Sequence, residues 1–198
     1  MIIGICGLIG AGKDTAADYL VNWHEFRRDS FAAALKDAVA SVFNWDRELL
    51  EGRTKSAREW REQLDYWWAD RLGIPHLTPR WVLQYWGTDV FREHFHHDIW
   101  IASLENKLRK TEDNIVISDC RFENEVESIR RAGGRVIRIV RGPDPKWFDL
   151  AKRSPELMSS VFPAVHASEY SWALTEFDFI IENNGTIDEL YAELKNLV

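Results

Sequence analysis

Residues 7–15 leave this chain few choices of fold. An apolar run, Ile2 to Cys6, stops at Gly7, and Gly7-Leu8-Ile9-Gly10-Ala11-Gly12-Lys13-Asp14-Thr15 then opens a stretch in which Ala16, Ala17, Leu20 and Val21 recur at helical spacing. Strand, glycine turn and helix in that order, with lysine directly after the last glycine, make a phosphate-binding loop. Glycines let the backbone curl until successive N–H groups point inward, and the helix behind them presents the positive end of its dipole. Lys13 adds a mobile cation for the β- and γ-phosphates of ATP. The hydroxyl residue that usually follows the lysine is replaced by Asp14, with Thr15 one place later. Two arrangements stay open: Asp14 holds magnesium directly or through water, or Thr15 reaches the phosphates instead.

The rest of the chain alternates in a way that fits the same fold. A second strand is predicted near residues 25–28, followed by a helix over 32–43. Helices are predicted over 56–71, 80–95 and 100–109, the second of them led by Pro79. Strand 115–118, helix 123–132, a stop at Gly133-Gly134 and strand 136–140 follow. After an irregular, proline-broken stretch come strand 179–182 and a closing helix, 187–197. Strands alternating with helices imply right-handed crossovers and an α/β fold, a mainly parallel five-stranded sheet covered on both faces. The expected organisation is a single domain with a helical acceptor-binding region over about 45–110 and a lid over about 142–170. Ligands belong beyond the carboxyl ends of such strands.

Several charged residues fall at those ends. Asp119 follows the strand at 115–118, where a carboxylate can hold magnesium's hydration shell or orient a nucleophile; the alternative is a helix N-cap. Arg121 can neutralise an acceptor phosphate, and Arg141, after the strand at 136–140, can clamp the phosphates of ATP. In the middle of the chain Arg80 and Arg92 flank Gly87-Thr88-Asp89 and are candidates for the acceptor's phosphate, as is Lys36 from a neighbouring helix. Glu123 and Glu125 read as ordinary first-turn carboxylates. His94, His97 and Asp98 share a helix face but lack a fourth ligand for zinc. Trp60, Trp67, Trp68, Trp81 and Trp86 are expected mostly in a core, with one or two free to stack on a base.

Composition removes some alternatives. A formal charge of -7 argues against general affinity for a nucleic-acid backbone, leaving a tryptophan-rich nucleic-acid binder disfavoured. Cys6 and Cys120, both at strand ends, are expected as buried thiols in a reducing compartment. No apolar run can span a bilayer and no signal peptide leads the chain, so the cytoplasm is the expected location.

Taken together, these motifs resemble the deoxynucleoside monophosphate kinases of tailed bacteriophages, a branch of the adenylate-kinase-like P-loop kinases. The resemblance rests on residues 7–15, Leu83-Gln84, Gly87-Thr88-Asp89, Asp119-Cys120-Arg121-Phe122-Glu123-Asn124-Glu125, residues 133–141, His166-Ala167-Ser168-Glu169 and Asn183-Asn184-Gly185. It implies transfer of the γ-phosphoryl group of ATP, with magnesium, to a deoxynucleoside monophosphate in a host bacterial cytoplasm. By the same resemblance Lys13, Arg121 and Arg141 would stabilise the transferring group and Asp119 would organise magnesium. Arg80 and Arg92 would hold the acceptor, and Asn183 to Gly185 would border adenine. His166, Ser168 and Glu169 would belong to the lid, with no chemistry implied, and a homodimer is an open expectation. The rival readings are a kinase of dephospho-coenzyme A or of a ribonucleoside monophosphate, and a regulatory protein that binds ATP without an acceptor.

Overall fold

The computed structural model describes residues 1–165 and 167–198, without the side chain of Ser168. Strand β1 (Ile2–Cys6), helix α1 (Lys13–Trp23) and strand β2 (Phe26–Asp29) open the chain. A helical stretch follows: α2 (Ala33–Phe43), α3 (Arg47–Glu51), α4 (Lys55–Arg61), α5 (Tyr66–Leu72), α6 (Pro79–Gln84), a π-helix (Tyr85–Glu93) and α7 (Ile99–Leu108). The sheet resumes with β3 (Asn114–Ile117), α8 (Glu123–Arg131) and β4 (Arg135–Val140). Then come α9 (Phe148–Arg153), α10 (Met158–Val161), β5 (Phe179–Glu182) and α11 (Ile187–Lys195). The chain divides into two compact units, Met1–Phe31 with Glu105–Val198, and Ala32–Leu104.

In the first unit the five strands are parallel and ordered β2-β3-β1-β4-β5. Gly4, at the centre, pairs with Ile117 on one side and Val136 on the other. Successive residues of a strand face opposite sides of a sheet, and β1 uses both. Ile3 and Ile5 pack with Ala16, Leu20, Leu190 and Leu194 of α1 and α11. On the other side a Cβ at Gly4 would stand 2.5 Å from Ile129 Cδ1, so the missing side chain is what lets α8 lie close. This is the P-loop kinase fold, with helices on both faces, as the sequence implies.

The segment read as irregular carries more order than its prolines suggest. Helices α9 and α10 lie in it, and Phe148, Ala151, Met158 and Trp172 are fully buried. Their anchor is Arg138 of β4, itself buried, whose guanidinium lies 4.5 Å from the centre of the Phe148 ring and 5.3 Å from that of Trp172 and pairs with Asp144. Prolines break regular periodicity, but they do not prevent a second small core from forming around a cation.

The second unit is an aromatic cluster inside short helices. Leu35, Val39, Phe43, Leu50, Leu77, Val82 and Trp100 are buried, with Trp45, Trp60, Trp68, Trp81 and Trp86 packed against them. The indole N–H groups find acceptors: Trp45 gives its proton to Asp65 at 2.8 Å, Trp68 to the Phe43 carbonyl and Trp100 to the Gly87 carbonyl. Trp67, by contrast, is largely exposed.

Two predicted helices here need correction. The helix expected over 56–71 is broken, because Asp65 accepts the Trp68 N–H and starts α5 as its cap. The helix expected over 80–95 keeps α-geometry only to Gln84 and then widens into the π-helix. In its first turn Gly87 meets Leu35 so closely that a Cβ would sit 2.8 Å from Leu35 Cδ2. A widened turn is how a helix accommodates such an approach without losing its backbone bonds.

Candidate active site

Because every strand runs the same way, Cys6, Asp29, Ile117, Val140 and Glu182 all end on one edge of the sheet. The phosphate-binding loop, Asp119, Arg121, Arg141 and Asn183 follow those ends and so share that edge. Proximity there is a consequence of topology, before any side chain is placed.

Residues 7–12 form the loop and α1 starts at Lys13. Gly12 caps it in the left-handed region, at φ 101°, and a Cβ there would lie 2.4 Å from Asn183 Nδ2. Asn183 uses that nitrogen to donate to the Ala11 carbonyl at 2.8 Å, which ties the loop to the end of β5. Leu8 is half-buried, Ile9 and Gly10 are exposed and Ala11 is buried beneath the loop. Lys13 Nζ folds back onto the Gly7 and Leu8 carbonyls at 2.8 and 2.9 Å. Burial, and then the Arg121 guanidinium, hold the Lys13 ammonium below its ordinary value, with Asp14 and Glu169 pulling the other way.

Asp14 projects into solvent from the first turn of α1, its side chain 82% exposed. Ser118 Oγ donates to it at 3.3 Å. Arg28 of β2 donates to the Asp14 carbonyl at 2.9 Å, stands 3.6 Å from the Asp14 carboxylate and also reaches Asp18 at 3.4 Å. Thr15 is half-buried beside it and Asp119 is half-buried just beyond β3. An oxygen donor from α1, Asp14, thus meets one from the residue after β3, Ser118, and oxygen donors of this kind suit a hard cation such as Mg²⁺. Among the described residues no group of three or more His, Cys, Asp or Glu is arranged to hold a metal, the His94, His97 and Asp98 trio included. Magnesium is the ion that needs least of the protein, because phosphates and water complete its shell.

Asp119 is not the helix cap that the alternative reading offered. Helix α8 starts at Glu123 with Phe122 in the capping position. Phenylalanine has no acceptor, so buried Glu125 turns its carboxylate back to the Arg121 and Phe122 N–H groups, at 2.8 and 3.2 Å. That fixes the backbone on which Arg121 stands. Arg121 Nη1 in turn lies 3.1 Å from Glu169 Oε1. Cys6 and Cys120 are buried free thiols, and burial, with Cys6 alongside, pushes the Cys120 thiol well above its ordinary value.

Arg141 is exposed immediately after β4, and the next residue, Gly142, donates its N–H to Asn184 Oδ1 at 2.7 Å. Gly185 leads into α11, which Thr186 and Glu189 cap reciprocally. Arg121 apart, the acceptor candidates lie in the unit Ala32–Leu104. Lys36 is bonded to Glu51 at 2.7 Å and Arg80 to Glu62 at 2.9 Å. Thr88 and Asp89, both exposed, and half-buried Arg92 sit on the π-helix. Of the lid residues, His166 and the Ser168 side chain lie outside the described residues. Arg28, Ser118 and the bracing role of Asn183 were missed in the sequence; the nearest signal for the first two was their position at strand ends.

Comparison with known proteins agrees with this geometry. Residues 74–194 match the family model described as deoxynucleotide monophosphate kinase. Over 213 residues, covering 100% of this chain and 96% of the relative, the sequence is 30% identical to a protein of Acanthamoeba polyphaga mimivirus placed among the deoxynucleotide monophosphate kinases. It is 26% identical over 179 residues to the deoxynucleoside-5'-monophosphate kinase of Escherichia phage T5, covering 66% of this chain and 72% of that one. With the deoxynucleotide monophosphate kinase of Enterobacteria phage T4 it shares 22% identity over 250 residues, 98% of this chain and 97% of the other. A parallel sheet that gathers the phosphate loop and its basic partners on one edge, and relatives matched nearly end to end, place this chain in the deoxynucleotide monophosphate kinase family.

Proposed function

We propose that the protein transfers the γ-phosphoryl group of ATP to a deoxynucleoside monophosphate, yielding the diphosphate and ADP. The observation that carries this reading is the meeting of the loop and Lys13 with Asp119 and Arg121 on one sheet edge in a chain of this family. An oxygen of the acceptor phosphate attacks the γ-phosphorus, and the bond from that phosphorus to the bridging oxygen of ADP breaks. Charge spreads onto the three equatorial oxygens as this happens. The backbone N–H groups of residues 7–12 hold the β-phosphate. Lys13, Arg121 and Arg141 stabilise the spreading charge, and Lys13 leaves its two carbonyl partners to do so. The acceptor phosphate is already ionised near neutrality, so no strong general base is needed.

Asp14, Thr15 and Asp119 would hold Mg²⁺, which would supply charge neutralisation to the ATP phosphates. Asn183 and Gly185 border the adenine. Lys36, Arg80, Thr88, Asp89 and Arg92 form the acceptor side. The segment 142–170 acts as the lid, closing from a base pinned by Arg138. No helix among the described residues is long and apolar enough to cross a membrane.

The test is ADP release from ATP and magnesium, measured with each deoxy- and ribonucleoside monophosphate in turn. Stimulation by one or more deoxynucleotides is the expected result and names the base. ATP binding with no stimulation by any acceptor would overturn the reading.

A further inference from the structure

The phosphate loop of this protein faces a carboxylate that the reaction does not use. Glu169 closes a short 3₁₀ turn, Ala167–Glu169, and its Oε1 sits 3.1 Å from Arg121 Nη1. The pair is half-sheltered, with the Glu169 side chain 21% exposed and that of Arg121 45%. Lys13 feels both charges, Arg121 opposing its proton and Glu169 favouring it, so the three groups form one electrostatic cluster at the loop. A glycine-rich loop at the start of α1 with two cations beside it makes a site suited to an anion. Without ATP, two neighbouring cations there would repel each other, and Glu169 offsets that repulsion.

We propose that Glu169 is an internal stand-in for phosphate: its carboxylate occupies Arg121 in the ATP-free enzyme, and the γ-phosphate of ATP displaces it. The inference rests on Arg121 being a phosphate ligand, and Glu169 is then a positioning residue rather than a catalytic one. Its kinetic signature is specific. A competitor present only before ATP binds weakens the ground-state and transition-state complexes equally, so its removal lowers KM for ATP and leaves kcat alone. A carboxylate needed to aim Arg121 during transfer would instead lower kcat when removed. The pair is partly exposed, so the expected effect is a modest ~3–10-fold.

The experiment measures ATP affinity by calorimetry and steady-state kinetics for wild type, Glu169→Gln, Arg121→Ala and the double variant, each checked for an unchanged melting temperature. Glu169→Gln should bind ATP ~3–10-fold more tightly with kcat within about twofold of wild type, and this gain should vanish in the Arg121→Ala background. Glu169→Ala serves as a second variant and should shift affinity in the same direction. Unchanged or weaker ATP binding in Glu169→Gln, or a gain that persists without Arg121, overturns the proposal. The two failures are separable. If Arg121→Ala binds and turns over like wild type, the assignment of Arg121 is wrong; if Arg121→Ala is impaired while Glu169→Gln is neutral, only the role of Glu169 falls.

Discussion

At Lys13 the charge proposed to bind phosphate is also a burden on the fold. Its proton affinity is lowered by burial first and by Arg121 second. Between that lowered pKa and the ordinary value near 10.5 the unfolded chain holds more protons than the folded one, so stability rises with pH across this window. ATP affinity should move the opposite way, falling as Lys13 loses its proton. Titrating ATP affinity against pH should show an alkaline limb beginning below 10.5, and Lys13→Met should abolish that limb along with turnover while melting no lower than wild type. Gly12 gives a second residue-scale prediction. Alanine there would enter a left-handed conformation costing about 1–2 kcal/mol and displace Asn183 from the Ala11 carbonyl. Gly12→Ala should therefore lose ATP binding out of proportion to its loss of stability, which calorimetry and thermal melting together would show. The glycine pattern of the loop was legible because it is local. Asn183 stands far along the chain from Ala11, and Glu169 from Arg121, so only the folded sheet reveals either contact.

At the scale of elements, the strands were readable and the middle helices were not. β1 and β5 keep their expected ends and the other three strands shift by a residue, since hydrophobic runs mark the buried part of a strand and not its last ladder bond. The breaks in the helical unit come from tertiary packing: Asp65 serves both Trp68 and the Trp45 indole, and Gly87 makes room for Leu35. Periodicity cannot register either event. Gly87→Ala should destabilise this unit by about 1–3 kcal/mol through overpacking, while Asp65→Ala should cost at least the ~1 kcal/mol of a lost cap. Denaturant melts followed by tryptophan fluorescence would measure both. Glu51 offers a pH test of the same unit. Burial alone would raise its pKa, but Lys36 and Arg47 outweigh that and hold it below the ordinary 4.5. The stability it contributes is complete above 4.5 and is lost as pH falls through the lowered value, so Glu51→Gln should flatten the acid limb of stability against pH.

For the whole molecule, the parallel order of the sheet followed from alternation of strands and helices, whereas the second small core around Arg138 did not. A lone arginine inside a β4 pattern reads as a surface residue until Phe148 and Trp172 are seen on either side of it. Arg138→Ala would leave Asp144 only its looser contact with Lys152 at 3.7 Å and open a void between two rings, a loss of about 2–5 kcal/mol. Amide exchange over residues 144–172 should quicken in that variant before the central strands are affected. The end of β2 carries a different lesson. Buried Asp29 and Lys107, which begin and end the excursion into the helical unit, face each other at 2.5 Å within the sheet's own unit. That pair closes the sheet's unit where the chain leaves it and returns, so lengthening or shortening what lies between those two residues should leave the register of β2 against β3 as it is.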